Sequence, residues 1–102
     1  MTELEVTDPQ ERFLELFKTE KYRQRISQLA VSGKTSLIVD FEDILTFDHT
    51  LAERLIEKPE EYLRHADNAA QNQLAIEAPE YAEKQKVTVR IVGLLEPTPL
   101  RK

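Results

Sequence analysis

Residues 36–59, SLIVDFEDILTFDHTLAERLIEKP, change their apolar period part-way along. Leu37, Val39 and Phe41 alternate with Ser36, Ile38 and Asp40, the period-two signal of a pleated, half-buried strand. A short turn of helix follows. Asp48 then stands where an N-cap belongs, because its carboxylate can accept a bond from a free N–H of a first helical turn. Leu51, Ala52, Leu55 and Ile56 fall at i, i+1, i+4 and i+5, one apolar stripe. Pro59 disfavours helical geometry at Lys58, so this helix is predicted to stop there. One strand cannot satisfy its own backbone, and the chain offers a single match for it: residues 87–94, VTVRIVGL, with Val87, Val89 and Ile91 on one face. Roughly 45 residues with helical patterning lie between the two. A connection of that kind permits a parallel pair, which a tight turn cannot make.

The flanking segments read as helices. Asp8-Pro9-Gln10-Glu11 combines a cap, a proline suited to the first helical position and a capping-box acid. Phe13, Leu16 and Phe17 then give an i, i+3, i+4 stripe. Tyr22, Ile26, Leu29 and Ala30 make the next, which is predicted to end at Gly33 in a left-handed conformation. Pro59-Glu60-Glu61 opens a longer helix with acids in its positive first turn. Its inward face is Tyr62, Ala66, Ala69 or Ala70, and Gln73 or Leu74, and small residues there let another helix come close. Pro79 begins one more helical turn through Tyr81 and Ala82. The predicted fold is mostly α: a small bundle of four main helices with a short two-stranded, parallel β element, one domain over 1–102, flexible at 1–7 and 97–102.

With 40% apolar residues in 102, the chain can bury one core, and with no cysteine it has neither disulfides nor thiolate zinc ligands. No apolar run approaches the ~20 residues of a membrane span. The start, MTELEVTDPQ, lacks the basic and apolar regions of a signal peptide. A soluble intracellular protein is expected. A formal charge of −5 argues against strong non-specific DNA binding. The charge is uneven, however. Lys18, Lys21, Arg23, Arg25 and Lys34 face Glu20 alone in 18–34, eight acids face Arg54 and Lys58 in 40–61, and five bases face Glu96 alone in 84–102.

Gly33-Lys34-Thr35 looks like the tail of a phosphate-binding loop, but the full motif needs a glycine where Gln28 stands. The context is also reversed, since a helix ends here and a strand begins. His49 and His65, 16 residues apart with no further His or Cys, do not have metal-ligand spacing. His49 reads as an exposed first-turn residue and His65 as half-buried. Among Asp40, Glu42, Asp43 and Asp48, the last is a cap and the others read as a solvated rim. Lys18, Lys21 and Arg25 share one helix face at i, i+3 and i+7, and a solvated face is their default. They are also the candidate contacts for DNA phosphate or an acidic neighbouring subunit, together with Arg101 and Lys102 at the C-terminal exit.

The run FDHTLAERLIEKPEEYLRHA resembles the first subdomain of the minichromosome maintenance (MCM) replicative helicases in their archaeal-type form. The family pattern, a strand with an acidic-aromatic end, then Phe-Asp, Leu-Ala, an apolar pair and Pro before another helix, is met by Phe47, Asp48, Leu51, Ala52, Leu55, Ile56 and Pro59. VRIVGLLEPTPLRK is similar to the family's strand and Pro-Leu-Arg exit. The resemblance spans Phe13 to Arg101 and rests on several short matches in order, none of them a chemical signature. It implies a subdomain on the outer side of the N-terminal tier of a hexameric ATPase, sometimes two rings end to end, that unwinds DNA. Its implied role is regulatory and non-catalytic, with weak DNA or partner contact. The ATP, magnesium and zinc of the parent belong to regions absent here, and the isolated fragment is expected to be monomeric. An archaeal-type cytoplasm or nucleoid is the implied location. The reading from another class is a free-standing helical protein–protein interaction module. An enzyme is a third reading, for which no catalytic constellation is present.

Overall fold

A computed structural model describes residues 8–93. The expected flexible ends, 1–7 and 97–102, and the exit residues Arg101 and Lys102 lie outside the described residues. In chain order the elements are α1 (Pro9–Phe17), α2 (Glu20–Ser32), β1 (Ser36–Asp40), α3 (Phe41–Phe47), α4 (His49–Glu57), α5 (Pro59–Glu77), α6 (Pro79–Lys84) and β2 (Thr88–Val92). β1 and β2 form a two-stranded parallel sheet in register from Ser36↔Thr88 to Asp40↔Val92. The mostly helical bundle with one parallel strand pair is therefore present. Its short turns are fuller than expected, with α3 a helix of 7 residues and α6 of 6.

Single residues set most of the boundaries. The Asp8 carboxylate accepts from the Glu11 N–H, with Pro9 in the first turn of α1. Gly33 closes α2 at φ 72°, a left-handed conformation that a side chain resists, so glycine stands there for its backbone. Asp48 ends α3 and caps α4, accepting from the Leu51 N–H. Lys58 before Pro59 and Ala78 before Pro79 are both pushed out of helical geometry, at φ −132° and −148°. Each proline thus ends one helix and opens the next.

Two details correct the sequence reading. Phe41 was expected as the last strand residue. It is the first residue of α3 and still buried, because a strand that alternates into a helix start can keep its apolar side inward across the junction. Ile56 was expected in the α4 stripe but is 50% exposed, whereas Leu51, Ala52 and Leu55 are buried. A pair of adjacent helical residues is separated by about 100° around the axis, and the core takes only the nearer one.

α5 runs through the middle of the molecule. Its small residues Ala66, Ala69 and Ala70 are fully buried, and α1 makes its most extensive contact along it. Leu37 and Val39 of β1, Val87 just before β2 and Val89 within it turn into the same core, with Ile91 partly buried against it.

A two-stranded sheet has two free edges, and here helix side chains bond to backbone groups on both. On the β1 side the Asp40 N–H donates to the Tyr22 hydroxyl at 3.1 Å, and Arg25 Nη1 donates to the Ile38 carbonyl at 2.8 Å. On the β2 side the Val87 N–H donates to Gln71 Oε1 at 2.8 Å and the Val89 N–H to Asp67 Oδ1 at 2.7 Å. Helices α2 and α5 thereby supply some of the partners that a third strand would otherwise provide.

Candidate nucleic-acid or subunit interface on the second helix

Three candidate cations lie at the start of α2 or just before it. Lys18 follows the end of α1 and is exposed. Lys21 and Arg25, one helical turn apart, both reach toward the end of β1. Lys21 Nζ lies 2.7 Å from Asp43 Oδ2 and 3.4 Å from Asp40 Oδ2, and Arg25 Nη2 lies 3.3 Å from Asp40 Oδ2. Both cations also sit over the Tyr22 ring, with Arg25 Cζ 5.1 Å from its centroid. The Tyr22 hydroxyl completes the group by donating to Asp43. The structure thus brings Lys21 and Arg25 together with Asp40 and Asp43, and leaves Lys18 outside that cluster.

This corrects the reading of Asp40 and Asp43 as a solvated rim. β1 passes into α3 without a loop, so Asp40 and Asp43, three residues apart across the helix start, face α2 together. The Lys21 ammonium, and after it the Tyr22 hydroxyl, hold the Asp43 carboxyl below its ordinary range. Glu42 remains exposed. Asp48 does more than cap: Arg12 reaches its Oδ2 from α1 at 2.6 Å, which raises the arginine's own pKa and ties α1 to the α3–α4 junction.

Beside α2 runs an open groove of about 970 Å³, with β1 as its far wall. Lys21, Arg23, Arg25 and Lys34 line it, among the amides of Gln24 and Gln28 and the hydroxyls of Ser27 and Ser36. Glu77 enters from the end of α5, 3.3 Å from Arg23 Nε, and accepts from Ser27 and from the buried Gln73 amide. Nothing in sequence spacing pointed to Glu77, which is 54 residues from Arg23. Asp40 and Asp43 were legible in part, since an i, i+3 pair of acids at a strand-to-helix junction shares one side.

The Gly33-Lys34-Thr35 turn holds no phosphate-loop geometry. The Gly33 and Lys34 N–H groups both donate to the Leu29 carbonyl, and the Lys34 carbonyl accepts from the Tyr81 hydroxyl. His49 is exposed beside Glu53, and His65 is half-buried with its ring against Tyr62, as expected for both. No helix among the described residues is long and apolar enough to cross a membrane.

The family model for the MCM N-terminal domain matches residues 10–93, nearly all of the described chain. The chain belongs to the MCM N-terminal domain family. Minichromosome maintenance protein MCM of Saccharolobus solfataricus is 36% identical over 95 residues, which are 88% of this chain and 14% of that protein. DNA replication licensing factor mcm2 of Xenopus tropicalis is 34% identical over 74 residues, 72% of this chain and 8% of that protein. DNA replication licensing factor Mcm5 of Drosophila melanogaster is 28% identical over 85 residues, 79% of this chain and 12% of that protein. This MCM N-terminal domain therefore spans only a small part of the length of each of these relatives. Within that part it has one buried core and a sheet whose edges bond to helix side chains. The groove beside α2 and the outer face of the sheet are its open polar surfaces next to the candidate cations.

Proposed function

We propose that this MCM N-terminal domain is the first, regulatory and structural subdomain of a hexameric ATP-dependent replicative DNA helicase, itself non-catalytic. One observation carries the reading: the family match over residues 10–93, to relatives named for minichromosome maintenance and DNA replication licensing, of which the chain spans 8–14% in the cases given. The parent's ATP, magnesium and zinc are assigned to the remainder of such a chain. Its partners are other MCM subunits, in one ring or two end to end, and DNA is a weak partner of this subdomain. The cellular setting is intracellular and archaeal in type.

The local chemistry supports a non-catalytic role. A phosphate-binding loop presents free backbone N–H groups to the anion. At Gly33-Lys34 those groups are spent on the Leu29 carbonyl, at the C-terminal end of a helix whose partial charge is negative. The chain is therefore expected neither to bind nor to hydrolyse ATP in calorimetry and phosphate-release assays. Saturable binding that disappears in Lys34→Ala would overturn that. The place in a larger helicase is tested on the gene: the reading frame beyond Lys102 is expected to continue into paired cysteines and a Walker motif. A stop codon there would instead make the domain a free-standing module.

A further inference from the structure

Side chains of α2 and α5 take up two backbone groups on each edge of the sheet, which leaves fewer free groups there for an added strand. Its outer face is different. Ser36 and Ile38 of β1 and Thr88 and Arg90 of β2 alternate outward, and all four are exposed. They stand in two rows, Ser36 beside Thr88 and Ile38 beside Arg90. Two residues before the first row come Lys34 and Lys86, both exposed. The pairing reaches back to them, since the Thr88 N–H donates to the Thr35 carbonyl at 2.9 Å. Lys34 lies with Ser36 and Ile38 on the wall of the α2 groove, which places it at the same face.

Among the described residues, the cations on this face have no ion-pair partner. The ion pairs among the described residues use Arg12, Lys21, Arg23, Arg25, His49 and Arg54, and none uses Lys34, Lys86 or Arg90. The acid at the far end of the face, Asp40, already lies between Lys21 and Arg25. The acids of α6, Glu80 and Glu83, sit on that helix and not on the sheet, with Lys84 beside them. The strands and the residues just before them thus carry three cations outside these ion pairs and two hydroxyls along a stretch of about 13 Å, four residues at roughly 3.3 Å each. At one phosphate per ~3.4 Å of axis on each strand, that length matches about four phosphates of DNA.

We propose that this outer face, Lys34, Ser36, Lys86, Thr88 and Arg90, is the surface through which the domain touches the phosphate backbone of DNA. The proposal deepens the weak DNA contact proposed above and rests on that reading. Lysine, arginine, serine and threonine are the side chains that proteins use on phosphates, and a flat ladder with regular rows suits a regularly repeating charge. An acidic protein segment would need an apolar anchor for specificity, and the face offers only Ile38, 40% exposed, and the half-buried Val92 beside Asp40 in the next row. The contact carries no base readout and is sequence-independent.

The test is an amide-shift titration of the isotope-labelled 102-residue chain with a short DNA duplex, and separately with a polyglutamate peptide, at several salt concentrations. Shifts from DNA are expected to cluster in 34–38 and 86–92. In Lys34→Ala/Lys86→Ala/Arg90→Ala the slope of log affinity against log salt is expected to fall by about 2.7, three contacts at about 0.9 each. All three side chains are exposed, so retained spectral dispersion will show that the variant folds. DNA shifts confined to α2, with a slope the triple variant leaves alone, would overturn the sheet face while the DNA reading stood. Shifts on this face with polyglutamate and not with DNA would overturn the choice of partner. Silence with both would remove the face and the DNA contact together.

Discussion

Tyr22 is 1% exposed, yet its hydroxyl serves two elements: it accepts from the Asp40 N–H at the end of β1 and donates to the Asp43 carboxylate in α3. Burial, and then the bond to Asp43, push its pKa up, so the phenol stays protonated. Removing the oxygen leaves a part-buried N–H and a carboxylate short of a donor. Tyr22→Phe is expected to cost about 1–3 kcal/mol in denaturant melts, the cost of stranding such groups. A loss within about half a kilocalorie would show that water replaces the hydroxyl. Two carboxyls should give opposite pH signatures. Folding lowers the Asp43 pKa below its ordinary 3.8, so the folded state binds that proton less readily than the unfolded chain. Its contribution to stability is present above about pH 4 and lost as pH falls through the folded value. Asp67 is raised, chiefly by burial, with the Val89 N–H opposing. Its sign is reversed: its contribution is full below about pH 4 and lost as pH rises through the folded value. Asp43→Asn should flatten the rise of stability with pH below about pH 4, whereas Asp67→Asn should remove a fall of stability as pH rises above about pH 4. The same change of slope in both variants would refute this assignment of signs.

At the scale of elements, the helices and strands were legible because local chemistry and tertiary demand agree in them. Asp8, Asp48, Gly33, Pro59 and Pro79 each mark a boundary for a reason of their own, and each stands at the boundary that reason gives. What failed was the width of a stripe and the end of a strand. Ile56 belongs to the apolar pattern of α4 but is half exposed, and Phe41 keeps its burial while changing element. The side chains that bond to the sheet edges were not legible at all. Asp67 and Gln71 act on residues 22 and 16 positions away, and nothing in a helical pattern says that a polar position faces a strand edge. The α4 stripe gives a paired comparison. Leu55, 1% exposed, is expected to lose about 2–5 kcal/mol as Leu55→Ala, as buried leucines do. Ile56→Ala should stay within about half a kilocalorie. Equal losses would mean that Ile56 is covered in solution by something beyond the described residues.

For the whole molecule, the sequence placed cations on α2 as its candidate contacts, and the fold sets acids beside two of them. Lys21 and Arg25 face Asp40 and Asp43, so the cluster is locally neutral. A phosphate that captured both cations would leave two carboxylates bare beside a polyanion, with little Coulombic gain. Exposed pairs are individually weak, about 0–1 kcal/mol, so rigidity is not the obstacle; charge balance is. In the hexamer proposed above, six such domains would act together, and linked weak contacts gain from effective concentration. A single domain should remain in or below the non-specific range, with Kd roughly 10⁻⁴ M or weaker at physiological salt. Simple removal of the cations is ambiguous, because Lys21→Ala/Arg25→Ala also uncovers Asp40 and Asp43 and would weaken DNA binding by repulsion alone. The informative variant adds Asp40→Asn and Asp43→Asn, which keeps the local charge unchanged. In a salt titration of the assembled parent, the double variant is expected to bind DNA less well. The balanced quadruple variant should return to the wild-type slope, because these cations serve the fold. If the quadruple variant instead loses about 0.9 of slope for each cation, Lys21 and Arg25 touch phosphate directly and exchange partners when DNA arrives.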